Sequence, residues 1–154
     1  MEANGYDLSN SHLIRHCRAW QIDNDVPTFK AFRLRRNEEY LSFNWLEKIC
    51  VDAGIVVDHK RAIQELEKTP PLEIGAGQLW AVLSREAISA AVQGAATVLP
   101  EIFPVPSSDN PSHVGVAGYP ERFNRDVAVE LAKRVRRSDL YPITQKRRRS
   151  RASR

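Results

Sequence analysis

The chain has 154 residues, 42% hydrophobic and 27% charged, a balance ordinary for one globular domain with a single sizeable core. No stretch approaches the roughly 18 apolar residues of a membrane span, MEANGYDLSN lacks both the cationic and the apolar part of a secretory signal, and two cysteines, Cys17 and Cys50, give no disulfide framework, so a cytoplasmic protein is expected. Charge is uneven: there are 23 Lys and Arg against 19 Asp and Glu, but the last nine residues, KRRRSRASR, hold six cations and no acid, leaving 17 against 19 in the first 145.

Residues 1–10 are polar and turn-prone, a loose arm. Ser11 stands where an N-cap would before Leu13, Ile14, Cys17 and Trp20, whose spacing predicts a helix, with a short strand centred on Ile14 as the rival reading. TFKAFRLRR reads as a strand, with Phe32 and Leu34 on one face and Phe29 and Ala31 on the other, and Asn37 to Glu39 turn it into a second strand, Tyr40 to Phe43. Asn44 followed by Glu47 predicts a capped helix burying Trp45, Leu46, Ile49 and Cys50 and stopped by Gly54. Asp58 predicts the cap of the next helix, through Ala62, Ile63 and Leu66, which cannot pass Pro70 and Pro71.

The run Leu79, Trp80, Ala81, Val82, Leu83 is apolar on both faces of an extended chain and predicts a covered central strand. Ser84 caps a helix with Ala87, Ile88, Ala91 and Val92 inward and Gly94 as its stop. Thr97 to Phe103 is extended, confined to a sheet edge by Pro100, Pro104 and Pro106. HVGVAG gives one more strand, and Asn124 opens a last helix with Val127, Leu131 and Val135 on its apolar stripe, fraying near Ser138. This order predicts an α+β fold: a loose arm over 1–10, a single domain over 11–140 with a small mixed sheet packed by helices, and a basic flexible tail over 141–154.

Few side chains form a pattern that encodes chemistry. On a helix His12 and His16 would project from one face, the spacing of two zinc ligands, but no further donors complete a set, and no metal or other cofactor is expected. Cys50 with His59 as base would make a thiolate nucleophile, yet Cys50 belongs to an apolar helix face and reads as a small core residue. His113 follows a polar loop containing Asp109, a position where a carboxylate can orient an imidazole for hydrolase or nuclease chemistry; the plainer reading is that it tethers a turn. GVAG at 115–118 has the two-glycine spacing of an RNA-clamping loop but follows a strand instead of joining helices. Arg33, Arg35 and Arg36 beside Tyr40, Phe43 and Trp45 could stack and pair with single-stranded nucleic acid, although Glu38 and Glu39 oppose phosphate there.

The strongest signal is charge. Lys133, Arg134, Arg136 and Arg137 lead into Lys146, Arg147, Arg148, Arg149, Arg151 and Arg154, so residues 133–154 carry ten cations and one acid, Asp139. The expected function is therefore binding more than catalysis: the basic helix end and tail contact nucleic acid or an acidic partner. The alternative is a partner subunit of a bacterial toxin-antidote or phage-defence assembly, anchored by an exposed Trp20, Trp45 or Trp80. Asn110, Pro111, Ser112, His113, a short strand and the helix AVELAKRV resemble the C-terminal third of certain small uncharacterised bacterial proteins. That resemblance implies a bacterial origin and an α+β fold, and no activity.

Overall fold

The computed structural model describes residues 2–3, 6–7, 10–68 and 77–143. Its elements are β1 (Glu2–Ala3), β2 (Tyr6–Asp7), β3 (His12–Cys17), β4 (Ile22–Asp23), β5 (Val26–Pro27), β6 (Leu41–Trp45), α1 (Leu46–Ala53), α2 (His59–Leu66), β7 (Leu79–Ser84), α3 (Arg85–Ala96), β8 (Glu101–Pro104), β9 (His113–Ala117), α4 (Asn124–Arg134) and β10 (Leu140–Pro142). Six strands form one sheet in the order β10-β7-β3-β6-β9-β8, every neighbouring pair antiparallel. With its helices this is an α+β fold in one small domain. Among the described residues no helix is long and apolar enough to cross a membrane.

Both faces of the sheet are covered around β7 and β3. Leu79, Ala81 and Leu83 pack with Leu13 and Cys17 under α3 and α4, which contribute Ile88, Ala91, Val92, Val127, Ala128 and Leu131. Trp80 and Val82 pack with Ile14 on the other face, under Leu46, Ile49 and Cys50 of α1 and Ala62, Ile63 and Leu66 of α2. Strand side chains alternate faces, so an uninterrupted apolar run is what a strand between two helical layers requires. Burying each large side chain contributes about 1.5–3 kcal/mol.

Capping explains where several helices start and stop. The Asp58 carboxylate accepts from Arg61 N–H at 3.0 Å, and the Ser84 hydroxyl accepts from Ala87 N–H at 3.0 Å, each satisfying a donor that the first helical turn leaves free. Gly54, at φ 70°, takes the left-handed cap of α1. Gly94 does not stop α3; the helix runs on to Ala96 and Thr97 adopts the left-handed cap at φ 61°. Nor does Asn44 cap α1, because β6 continues through Trp45. The Pro70–Pro71 stop lies outside the described residues.

Two segments fold differently from their local pattern. Residues 12–17 form a strand, not a helix: Leu13, Ile14 and Cys17 looked like one helical stripe but divide between the two faces of the sheet. Residues 29–32 form a 3-10 turn, not a strand: Ala31 and Phe32 are both buried in the one core under α3 and α4, whereas neighbouring residues of a strand would point to opposite faces. Leu34 is held instead by Asn124, whose Oδ1 accepts from Leu34 N–H at 2.9 Å and whose Nδ2 donates to Leu34 O at 2.8 Å, replacing a strand neighbour. The ends shift as well. Glu2–Ala3 pairs with Tyr6–Asp7 where a loose arm was expected, α4 ends at Arg134 ahead of Ser138, and β10 with buried Ile143 carries the domain past residue 140.

Strand β8 lies at the sheet edge, as its prolines required. Gly115 sits inside β9, where a Cβ would come within 2.8 Å of the Tyr40 ring and 3.0 Å of Phe103. Close packing therefore accounts for that glycine. Gly115→Ala is expected to cost about 1–3 kcal/mol in urea unfolding; an unchanged midpoint would show that Tyr40 swings aside freely.

Candidate anion-binding site

The basic end of α4 is exposed and borders a cleft. Lys133 and Arg134 in its last turn, with Arg136 just beyond, line a cleft of about 510 Å³ whose other walls include His12, His59, Ser84, Ala87 and Asp139. Two helices begin here: His59 is the first residue of α2, and Ser84 and Ala87 belong to the start of α3. The positive end of each of these helix dipoles adds to the charge of the three cations, while the C-terminal end of α4 opposes it.

Each cation has an acidic neighbour. Lys133 Nζ lies 3.3 Å from Glu130 Oε2, Arg134 Nη2 lies 3.7 Å from Glu130 Oε1, and Arg136 Nε donates to Asp139 Oδ2 at 3.1 Å. Such solvent-exposed pairs are worth about 0–1 kcal/mol, so an incoming phosphate can exchange for the carboxylates at small cost. Arg137 is exposed in the turn after α4 and does not line the cleft. Lys146, Arg147, Arg148, Arg149, Arg151 and Arg154 lie outside the described residues.

Two imidazoles face each other across this site, their ring centroids 5.2 Å apart. His12 is fixed by Glu47, which accepts from its ring at Nδ1 over 2.7 Å and from its backbone N–H over 2.9 Å. Glu47 therefore serves the histidine instead of a capping box. His59 Nδ1 lies 3.3 Å from the Tyr141 hydroxyl. Burial, then the carboxylates of Asp139 and Asp58, raise the Tyr141 phenol above its ordinary range, so it stays protonated. Neither Nε2 atom has a hydrogen-bond partner among the described residues.

His16 is elsewhere. Four residues along a strand separate it from His12 by roughly 13 Å, too far for a shared ion, and no group of three or more His, Cys, Asp or Glu among the described residues could hold a metal. His16 stacks on Trp80 at 4.8 Å and holds Gln78 Oε1 at 2.7 Å through Nε2. Burial, with the Arg18 and Arg15 charges, outweighs that hydrogen bond and lowers the imidazole below its ordinary value. The unfolded chain then binds the proton more readily, so stability rises with pH up to the ordinary imidazole range. Thermal melts from about pH 5 to about pH 7 should show that rise, and His16→Gln should flatten it. An equal slope in the variant would assign the effect to another group.

His113 anchors its loop: Nδ1 donates to Val105 O at 3.1 Å, and no hydrogen bond joins it to the exposed Asp109 among the described residues. Cys50 is buried with its thiol toward Asp58 O at 3.9 Å, not paired with His59. Burial pushes the Cys17 thiol up to about 12, which removes it as a nucleophile. Phe43 and Trp45 are buried and unavailable for stacking; Arg35 lies over the Trp20 ring instead, at 5.6 Å. Trp80 is buried too, and of the three tryptophans Trp20 is exposed, at 55%. Gly118, at φ 98°, follows β9, so the GVAG stretch is strand and strand end.

Sequence reasoning found the cations of α4 but not their companions. In the sequence His12 falls on a helical spacing and His59 is near Cys50 alone; the register pairing His12 with Ser84 is what brings β3, α2 and α3 to one place. Comparison of the chain with protein-family models, with curated proteins and with solved structures finds no match.

Proposed function

We propose that this protein binds a polyanion, the phosphate backbone of nucleic acid, through the cleft at the end of α4 and the cations that follow it. The observation that carries the reading is the convergence of Lys133, Arg134 and Arg136 on one concave surface with His12 and His59. Asp139 on that surface and Glu130 beside it stand against three permanent cations, an excess of one positive charge. Cations on a convex helix end would only complement its dipole; gathered in a cleft they form a place for phosphate oxygens. Backbone contacts of this kind fix position and carry little sequence preference.

A cytoplasmic, bacterial setting accompanies the reading. It is supported by the two free cysteines, both buried and unpaired, and by the resemblance of residues 110–135. Fluorescence anisotropy with a short labelled DNA duplex tests the proposal: the triple variant K133A/R134A/R136A should bind much more weakly than the intact chain. Equal binding would remove the cleft from the function.

A further inference from the structure

A second cleft, of about 310 Å³, lies on the same sheet and holds a cation that no carboxylate among the described residues pairs directly. Strands β3 and β6 pair only at Leu13 with Trp45 and Ile14 with Asn44. Beyond those two pairs Arg15 occupies the gap. Its side chain is buried, at 9% exposure; Nε donates to Ala31 O at 2.6 Å and Nη1 donates to Ser42 O at 2.8 Å. A guanidinium has five N–H donors, so three are without a protein acceptor among the described residues. No carboxylate there forms an ion pair with it. The Phe43 ring at 5.7 Å and the more distant Glu38 charge compensate it only in part, so a buried cation without a full set of acceptors remains costly to the fold, and an anionic ligand would relieve that cost.

The rest of the lining has the complementary chemistry. Arg18 and Arg35 face the same cleft with a single acid, Glu38, whose Oε1 is already held by Arg35 N–H at 2.7 Å. Three cations against one acid leave two positive charges, the match for a phosphomonoester dianion. The rest of the lining suits hydroxyl groups: a carbonyl can only accept, so His113 carries a proton on Nδ1, and in the neutral ring Nε2 is then an acceptor. Asn44 Oδ1 takes the Ser112 hydroxyl at 2.9 Å, leaving the amide N–H groups as donors.

We infer that this cleft binds a phosphorylated, hydroxyl-bearing small molecule of sugar-phosphate size, its phosphate on Arg15, Arg18 and Arg35 and its hydroxyls between His113 and Asn44. The inference stands on residues separate from those of the α4 cleft. Isothermal titration with ribose 5-phosphate, inorganic phosphate and ribose at concentrations up to about 10 mM tests it. Ribose 5-phosphate should bind saturably, phosphate more weakly, and ribose not at all. Arg35→Ala, at the exposed rim, should weaken ribose 5-phosphate binding about tenfold, and Arg15→Lys, which loses the planar fork, should abolish it. If Arg15→Lys does not fold, Arg35→Ala and His113→Phe decide the matter by the same titration.

No binding of either phosphate compound would overturn the inference. So would equal affinity for phosphate and ribose 5-phosphate, unweakened binding by Arg35→Ala, or loss of binding in K133A/R134A/R136A in place of the Arg35 variant.

Discussion

Raising salt from about 50 to about 200 mM is expected to weaken binding of a DNA duplex to the intact chain by about a thousandfold, the response of a protein that neutralises about six phosphates. Residues 133–154 carry ten cations and one acid, enough for that number of contacts. Each contact displaces condensed counterions and contributes about 0.9 to the slope of log affinity against log salt. Deleting residues 146–154 removes six of these ten cations and should take away about three-fifths of the slope; K133A/R134A/R136A removes three and should take away about three-tenths. The two variants separate tail from cleft. A slope lowered by the deletion alone would place binding in the tail, whereas affinity independent of salt in every form would end the nucleic-acid reading.

Trp80→Ala is expected to destabilise the fold by about 3–5 kcal/mol in urea unfolding, the cost of removing a large aromatic from a packed core. Trp80 is 1% exposed, lies among Ile14, Val82, Leu46 and Ile63, stacks on His16, and donates through Nε1 to Glu67 Oε2 at 2.7 Å. It thus ties the end of α2 to the centre of the sheet. Trp80→Phe keeps a ring while losing the charged hydrogen bond, and should cost about 1.5–3 kcal/mol. An alanine variant within about 1 kcal/mol of the parent would mean that α1 and α2 close over the vacancy.

What could be read in advance follows a physical rule. Strand β7, α2 and α3 were legible because a run apolar on both faces, Asp58 and Ser84 act locally: each signal and its effect lie within a few residues. Strand β3 and the turn at 29–32 were not, because their shape is decided by partners far along the chain. His12–Cys17 pairs in full with β7, more than sixty residues away, and Leu34 is held by Asn124, 90 residues away. The same limit applied to the clefts. The charge of Lys133, Arg134 and Arg136 was visible, but its concave setting depends on where β3, α2 and α3 end. Arg15 passed unnoticed because a helical reading of LIRHC puts it on a solvent face, whereas the strand turns it into the gap beside β6.

Strand β10 is three residues long, yet it is what covers the outer edge of β7 from Leu79 to Ala81. Without it the most apolar strand of the protein would offer a bare row of backbone donors and acceptors to any neighbouring chain, a template for aggregation. A ribosome makes the 55 residues between Ser84 and Leu140 before that cover arrives. During synthesis the nascent chain is thus exposed to misassociation until β10 emerges. For truncation experiments the same fact sets a limit: cuts placed after Ile143 spare the sheet, whereas a cut before Leu140 turns a binding assay into a measurement of insolubility.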